Sequence, residues 1–177
     1  MTKIFAFGDS YVAGYGVGLD QCWVSRLEKL LNRPIANLGI NGAWITELSE
    51  YPPALEEGDV LLVLGGANDF LGEGTVAQVM ASYERLKTYA KKAGAGCLII
   101  LPPTPVIVED DLFVGLNMIR SLQEKLKELD KKAEGLHLDQ VIPKEPALYI
   151  DGIHLTPEGH ELIAHAVYEY GVEKKYF

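Results

Sequence analysis

The segment Val60-Leu61-Leu62-Val63-Leu64 constrains the fold more than any other part of the chain. Its apolar residues run unbroken between Gly58-Asp59 and Gly65-Gly66, leaving no polar face for solvent. A strand of this kind is central and covered on both sides. Other short apolar runs alternate with longer stretches of helical period, and that alternation specifies a parallel sheet with helices on both faces. Residues 4–7 read as the first strand, ending at Gly8, with 35–38 as the second, Val60–Leu64 as the third and Cys97–Leu101 as the fourth. A weaker fifth strand is expected at 136–138. Between them, Asp20 is placed to cap a helix carrying Trp23, Leu27, Leu30 and Leu31 on one face, which Pro34 stops. Thr75 and Gln78 form a capping box for a helix through Lys92, ended by Gly94 and Gly96. Asp110 or Asp111 begins a long helix to about Lys132. Thr156 caps the last helix, with Pro157 at its first position. The expected architecture is α/β, a flavodoxin-like three-layer α/β/α sandwich with a five-stranded parallel sheet, residues 1–177 forming one domain.

Composition narrows the partners. The formal net charge of the 177 residues is −9, which repels phosphate backbones and anionic membranes. The longest basic runs are pairs such as Lys91-Lys92, Lys131-Lys132 and Lys174-Lys175, suited to solvated helix ends, so nucleic acid is not an expected partner. Cys22 and Cys97 have no Cys neighbour at metal or redox spacing, and Cys97 reads as a small buried hydrophobe. The first residues are too briefly apolar for a signal peptide. No segment approaches the roughly 20 apolar residues needed to span a bilayer. A soluble cytoplasmic protein without a membrane span is expected; oligomeric state stays open.

In doubly wound sheets, ligands bind beyond the carboxyl ends of the strands. Gly8-Asp9-Ser10 follows the first strand, residues 37–42 end the second, and Gly65-Gly66-Ala67-Asn68-Asp69 follows the third. Asp151-Gly152-Ile153-His154 precedes the last helix. Acyl transfer needs a nucleophilic hydroxyl, an imidazole to take its proton, a carboxylate to orient the imidazole, and donors aimed at the oxyanion. Ser10, His154 and Asp151 supply the first three. The Ser10 amide, an amide of the 39–42 loop and the Asn68 side chain can supply the donors. Taken singly, each has a plain structural use: a capping serine, a surface histidine, an Asp-Gly turn, glycines for backbone geometry. Asp9 reads as structural, satisfying turn amides. Four such segments meeting on one rim is a different matter from any one of them.

Together these segments resemble the four blocks of the SGNH (GDSL-type) hydrolase family, in order and across nearly the whole chain. Gly8-Asp9-Ser10, continuing to Gly14 and Gly16, is similar to the first block, which implies Ser10 as nucleophile. Residues 37–42 are similar to the second, implying Gly42 rather than Gly39 as an oxyanion donor. Gly66-Ala67-Asn68-Asp69 is similar to the third, implying Asn68 as a further donor, and Asp151 with His154 to the fourth. The resemblance implies a serine hydrolase of acyl esters, of esterase, lipase or thioesterase type, taking a small-molecule ester and requiring no cofactor or metal. Two positions depart from the pattern: Tyr11 stands where the family has Leu, and Trp44 where many members carry a small hydroxyl residue. Both bear on substrate preference.

The base has to be neutral, so activity should fall as pH drops through the range of an imidazole, near 6.5 for an unperturbed ring. His160 and His165, five apart on a helix, do not share a face, which argues against zinc. Residues 102–109 and 139–150 are the longest irregular segments; Val106, Ile107, Val108, Val141, Ile142 and Leu148 in them are candidates to receive an acyl chain or simply to cover the sheet. So few insertions suggest a shallow site and short acyl groups. Three rival readings remain. A dinucleotide site at Gly14, Gly16 and Gly18 would want glycine or alanine at Leu19, and Asp20 puts negative charge where phosphate would sit. A non-catalytic binding protein on the same fold has no reason to keep Ser10, Asn68, Asp151 and His154 together. An acyltransferase would use the same residues with an acceptor other than water.

Overall fold

The computed structural model describes residues 2–107 and 116–177. Strands β1 (Ile4–Gly8), β2 (Ile35–Gly39), β3 (Val60–Leu64) and β4 (Cys97–Leu101) form one parallel sheet in the order β2-β1-β3-β4. The register is in phase. Ile4 pairs with Ile35 and Val60, and Gly8 pairs with Gly39 and Leu64, while Leu64 pairs with Leu101, so the carboxyl ends stand in one row. The order in which strands are added reverses between β1 and β3, the switch point at which such sheets bind ligands.

The helices are α1 (Ser10–Ala13), α2 (Trp23–Leu31), α3 (Ile45–Leu48), α4 (Ala67–Leu71), α5 (Val76–Ala93), α6 (described from Leu116 to Lys132) and α7 (Pro157–Glu173). On one face α2 packs along α7, and on the other α5 packs against α3 and α6. Every residue of β3 is buried, and Leu61, Leu62, Val63 and Leu64 have no exposed surface. The capping box at Thr75 and Gln78 is present, Gly94 ends α5 in the left-handed conformation, and Thr156 caps α7 with Pro157 behind it.

Three expectations are corrected. Among the described residues the sheet has four strands, not five. The chain reaches β4 at 136–138, but Leu136 N–H to the Ile100 carbonyl (2.9 Å) is its one backbone bond there. His137 then turns its ring to Asp130 on α6 (2.9 Å), and Leu138–Gln140 closes into a 3₁₀ turn. Asp20 does not cap α2, which starts at Trp23 from an N-cap Cys22 with no side-chain cap. A turn in which Gln21 and Cys22 N–H both donate to the Gly18 carbonyl occupies Asp20 instead. The stop of α2 is Asn32 in the left-handed conformation, with Pro34 beyond it. Finally, Cys22 is the buried cysteine, and Cys97 is only partly covered. The expected start of the long helix at Asp110 or Asp111, with Val108 and Glu109, lies outside the described residues. No helix among those described is long and apolar enough to cross a membrane.

The fold rests on β3, so Leu62→Ala should destabilise the protein by about 2–5 kcal/mol in denaturant unfolding. A loss below about 1 kcal/mol would show that Leu62 is not in a close-packed core.

Candidate active site

The site begins where β1 runs out. A Cβ on Gly8 would lie 1.7 Å from the Leu64 carbonyl oxygen, so only glycine lets β1 end this close to β3. Asp9 then caps α1, its Oδ1 accepting from Tyr11 N–H (3.0 Å), as its structural reading requires. Ser10 is the first residue of α1 and is almost covered, at 6% exposure. The helix lasts one turn and stops at Gly14 (φ 80°), whose N–H returns to the Ser10 carbonyl.

The loop before α7 delivers the imidazole. Tyr149 and Leu155 form an antiparallel bridge, with Ile150 N–H donating to the His154 carbonyl (2.8 Å), so residues 150–154 make a closed bend. Gly152 (φ 81°) takes the left-handed turn within it. Asp151 Oδ1 accepts from Ile153 N–H (2.9 Å) and His154 N–H (2.7 Å), leaving Oδ2 for His154 Nδ1 at 2.7 Å. The far nitrogen, Nε2, lies 3.0 Å from Ser10 Oγ. Carboxylate, imidazole and hydroxyl therefore stand in one hydrogen-bonded series between residues 144 positions apart. Burial raises the Asp151 pKa, but the bonds from the His154 ring and the two amides outweigh it and hold the carboxyl below its ordinary value.

Two aromatic rings flank this imidazole. Tyr15, half exposed, lies 4.4 Å from it between ring centroids, and buried Tyr11 lies at 5.8 Å. The Tyr11 hydroxyl donates to the Ile153 carbonyl at 2.9 Å.

The other two expected donors belong to a neighbouring part of the rim. Gly42 (φ 77°) sits at the exposed crest of the loop after β2, which Ile40 N–H ties to the Gly8 carbonyl (3.0 Å). Asn68, on α4, donates from Nδ2 to the Ala43 carbonyl at 3.1 Å. Under this loop, buried Asp69 accepts from Ile45 N–H (2.8 Å), Thr46 N–H (3.1 Å) and the Thr46 hydroxyl (2.6 Å). That explains how Trp44 can stand in place of a small hydroxyl residue. Trp44 is the N-cap of α3 and gives no side-chain cap, because Asp69 caps the helix from outside. Sequence reasoning quoted Asp69 without a role; its signal was its place directly after Asn68.

Of the acyl-chain candidates, Val106 and Ile107 line an 850 Å³ cleft between α6 and residues 144–152. Val106 also belongs to the core, as does Ile142, while Val141 and Leu148 pack partly buried against it. Asp130, His137 and Asp139 bring their ligand atoms within 4.8 Å of one another, the one His/Asp grouping of metal spacing among the described residues. Ser10 and His154 take no part in it. His160 is buried and accepts from Trp23 N–H (3.3 Å), while His165 is exposed, as their separation on α7 requires.

A doubly wound parallel sheet carrying hydroxyl, imidazole and carboxylate in series at its carboxyl rim falls among the α/β enzymes that cleave acyl groups. Within that class, the model of the GDSL-like Lipase/Acylhydrolase family matches residues 6–162; the chain belongs to this family and is a carboxylic-ester hydrolase. An arylesterase from Vibrio mimicus is 27% identical, the match covering 93% of this chain and 86% of that protein. Among solved structures, a G-D-S-L-family lipolytic protein from Desulfitobacterium hafniense superposes with a TM-score of 0.71 at 18% identity, covering 96% of this chain and 99% of the other. An acetylxylan esterase from Geobacillus stearothermophilus gives 0.66 at 17% identity, covering 95% and 93%.

Two buried groups beside the site titrate in opposite senses. Burial, with repulsion from Asp69, pushes Asp9 from its ordinary 3.8 up to about 7, and its Oδ2 has no hydrogen-bond partner among the described residues. Its contribution to stability is greatest at low pH and is lost as pH rises from about 4 to 7. Burial pushes His160 from 6.5 down to about 4, so its contribution is present above 6.5 and lost as pH falls towards 4. Over pH 4 to 6.5 the two slopes offset. His160→Gln should leave unfolding free energy falling with rising pH by about 1.4 kcal/mol per unit, and Asp9→Asn should leave it rising by a similar amount. Slopes of the same sign in both variants would contradict this assignment.

Proposed function

We propose that the chain cleaves its ester through an acyl-enzyme on Ser10. Ser10 Oγ attacks the carbonyl carbon while its proton passes to His154 Nε2, and Asp151 steadies the imidazolium through Nδ1. The tetrahedral intermediate collapses, His154 returns the proton to the departing alkoxide, and the acyl group stays on Ser10. Water then gives a proton to Nε2 as it attacks the acyl carbon, and the acid leaves with Ser10 regenerated. The observation that carries this reading is the unbroken series at 2.7 and 3.0 Å, with both oxygens of Asp151 engaged in aiming His154.

The oxyanion is assigned to the backbone N–H groups of Ser10 and Gly42 and the side-chain amide of Asn68. Among the described residues neither N–H donates elsewhere, and Asn68 uses one of its two amide protons on Ala43, keeping the other free. For the substrate we propose an ester of a short acid with an aryl alcohol. The half-exposed Tyr15 ring against His154 offers a flat surface beside the leaving group, and the Vibrio mimicus relative is named an arylesterase.

Wild type should hydrolyse p-nitrophenyl acetate faster than the octanoate, and Ser10→Ala should not turn over either. Removing one oxyanion donor costs about 3–4 kcal/mol in the transition state, so Asn68→Ala should lower kcat by about a hundredfold or more while remaining folded. An unchanged kcat in Asn68→Ala would remove that side chain from the oxyanion site. Full turnover by Ser10→Ala would remove the mechanism.

A further inference from the structure

The residue next to Ser10 does more than fill space. Tyr11 is 2% exposed, and each of its polar groups is engaged. Its N–H donates to Asp9 Oδ1 (3.0 Å), its carbonyl accepts from the Trp23 indole (2.9 Å), and its hydroxyl donates to the Ile153 carbonyl (2.9 Å). Burial raises the phenol above its ordinary pKa, which favours the protonated hydroxyl that donates to Ile153.

The Ile153 carbonyl belongs to the peptide unit that ends in His154 N–H. That N–H is the group bound by Asp151 Oδ1 at 2.7 Å. The Ile153–His154 peptide is thus held from both sides, its C=O by Tyr11 and its N–H by Asp151. A peptide unit is planar, so fixing both ends fixes the plane. The plane places the N–Cα bond of His154, and the bond from Ile150 N–H to the His154 carbonyl (2.8 Å) holds the rotation about it, so together they set the Cα–Cβ direction and where Nε2 falls. Because Tyr11 follows Ser10 on the same helical turn, the tether joins the backbone of the nucleophile to the backbone of the base. The leucine that the family pattern has here could fill the volume but could not donate.

We propose that Tyr11 is a positioning residue for His154: its hydroxyl locks the Ile153–His154 peptide so that Nε2 meets Ser10 Oγ. This rests on Ser10 and His154 acting as nucleophile and base. An alignment effect differs from a packing effect in what it changes. Loss of packing lowers stability and leaves the folded enzyme's rate alone, whereas loss of alignment lowers the chemical step and leaves binding alone.

Tyr11→Phe keeps the ring and removes the tether. It should lower kcat by about fivefold, the worth of one hydrogen bond, with KM unchanged. The rate at which a fluorophosphonate labels Ser10 should fall by the same factor, a readout that depends on no choice of ester. Tyr11→Leu is read in the same way if Tyr11→Phe does not fold. A folded variant whose kcat and labelling rate stay within twofold of wild type overturns the tether alone. A wild type that the fluorophosphonate does not label at Ser10 overturns the nucleophile assignment, and the tether with it.

Discussion

The rim depends on how closely three backbones are allowed to approach at the end of β1. Gly8 lets β1 close on the Leu64 carbonyl of β3. On the other side, a Cβ at Gly39 would stand 2.1 Å from Ala13 N, so glycine lets β2 close on α1. A side chain at Gly8 would push β1 off β3 and one at Gly39 would push α1 off β2, and Ser10 opens α1. The buried apolar strand β3 supplies the cohesion, but these two contacts decide where the hydroxyl stands relative to a loop that arrives 144 residues later.

Carboxylates around the rim divide by environment. Asp69 is buried and accepts three hydrogen bonds, which hold the loop after β2 against α4. Asp9 is buried with one oxygen unpartnered among the described residues, and it keeps its proton far above the ordinary carboxylate range. Asp151 sits nearer solvent yet is held ionised by the imidazole and amides it binds. An orienting group for an imidazole that becomes positively charged has to be of the last kind. The two buried ones are suited to fixing backbone.

Much of this was legible in the chain because the signals were local. Val60–Leu64 and Cys97–Leu101 fall where their apolar runs predict, since a strand covered on both faces leaves no ambiguity of period. Asp151 and His154 lie three apart, and a short loop suffices to join them. What escaped was long-range or competitive. The strand expected at 136–138 lost to a side-chain bond between His137 and Asp130, which no pattern of hydropathy encodes. Asp20 lost its capping role to a backbone turn from Gly18. Trp44 looked like a departure until Asp69, far along the chain and bound to Ile45 N–H, took over the cap. Tyr11 likewise read as a matter of substrate preference, because its partner at Ile153 is 142 residues distant.

The central claim is that Ser10 Oγ carries the acyl group between the two halves of the reaction. The most direct test is to quench the enzyme with acid during turnover of p-nitrophenyl acetate and digest it for mass spectrometry. The account predicts an acetyl group on the peptide containing Ser10, absent from Ser10→Ala and accumulating in His154→Ala only at a much reduced rate. Acetylation confined to another residue, with Ser10→Ala still releasing p-nitrophenol at the wild-type rate, would contradict it.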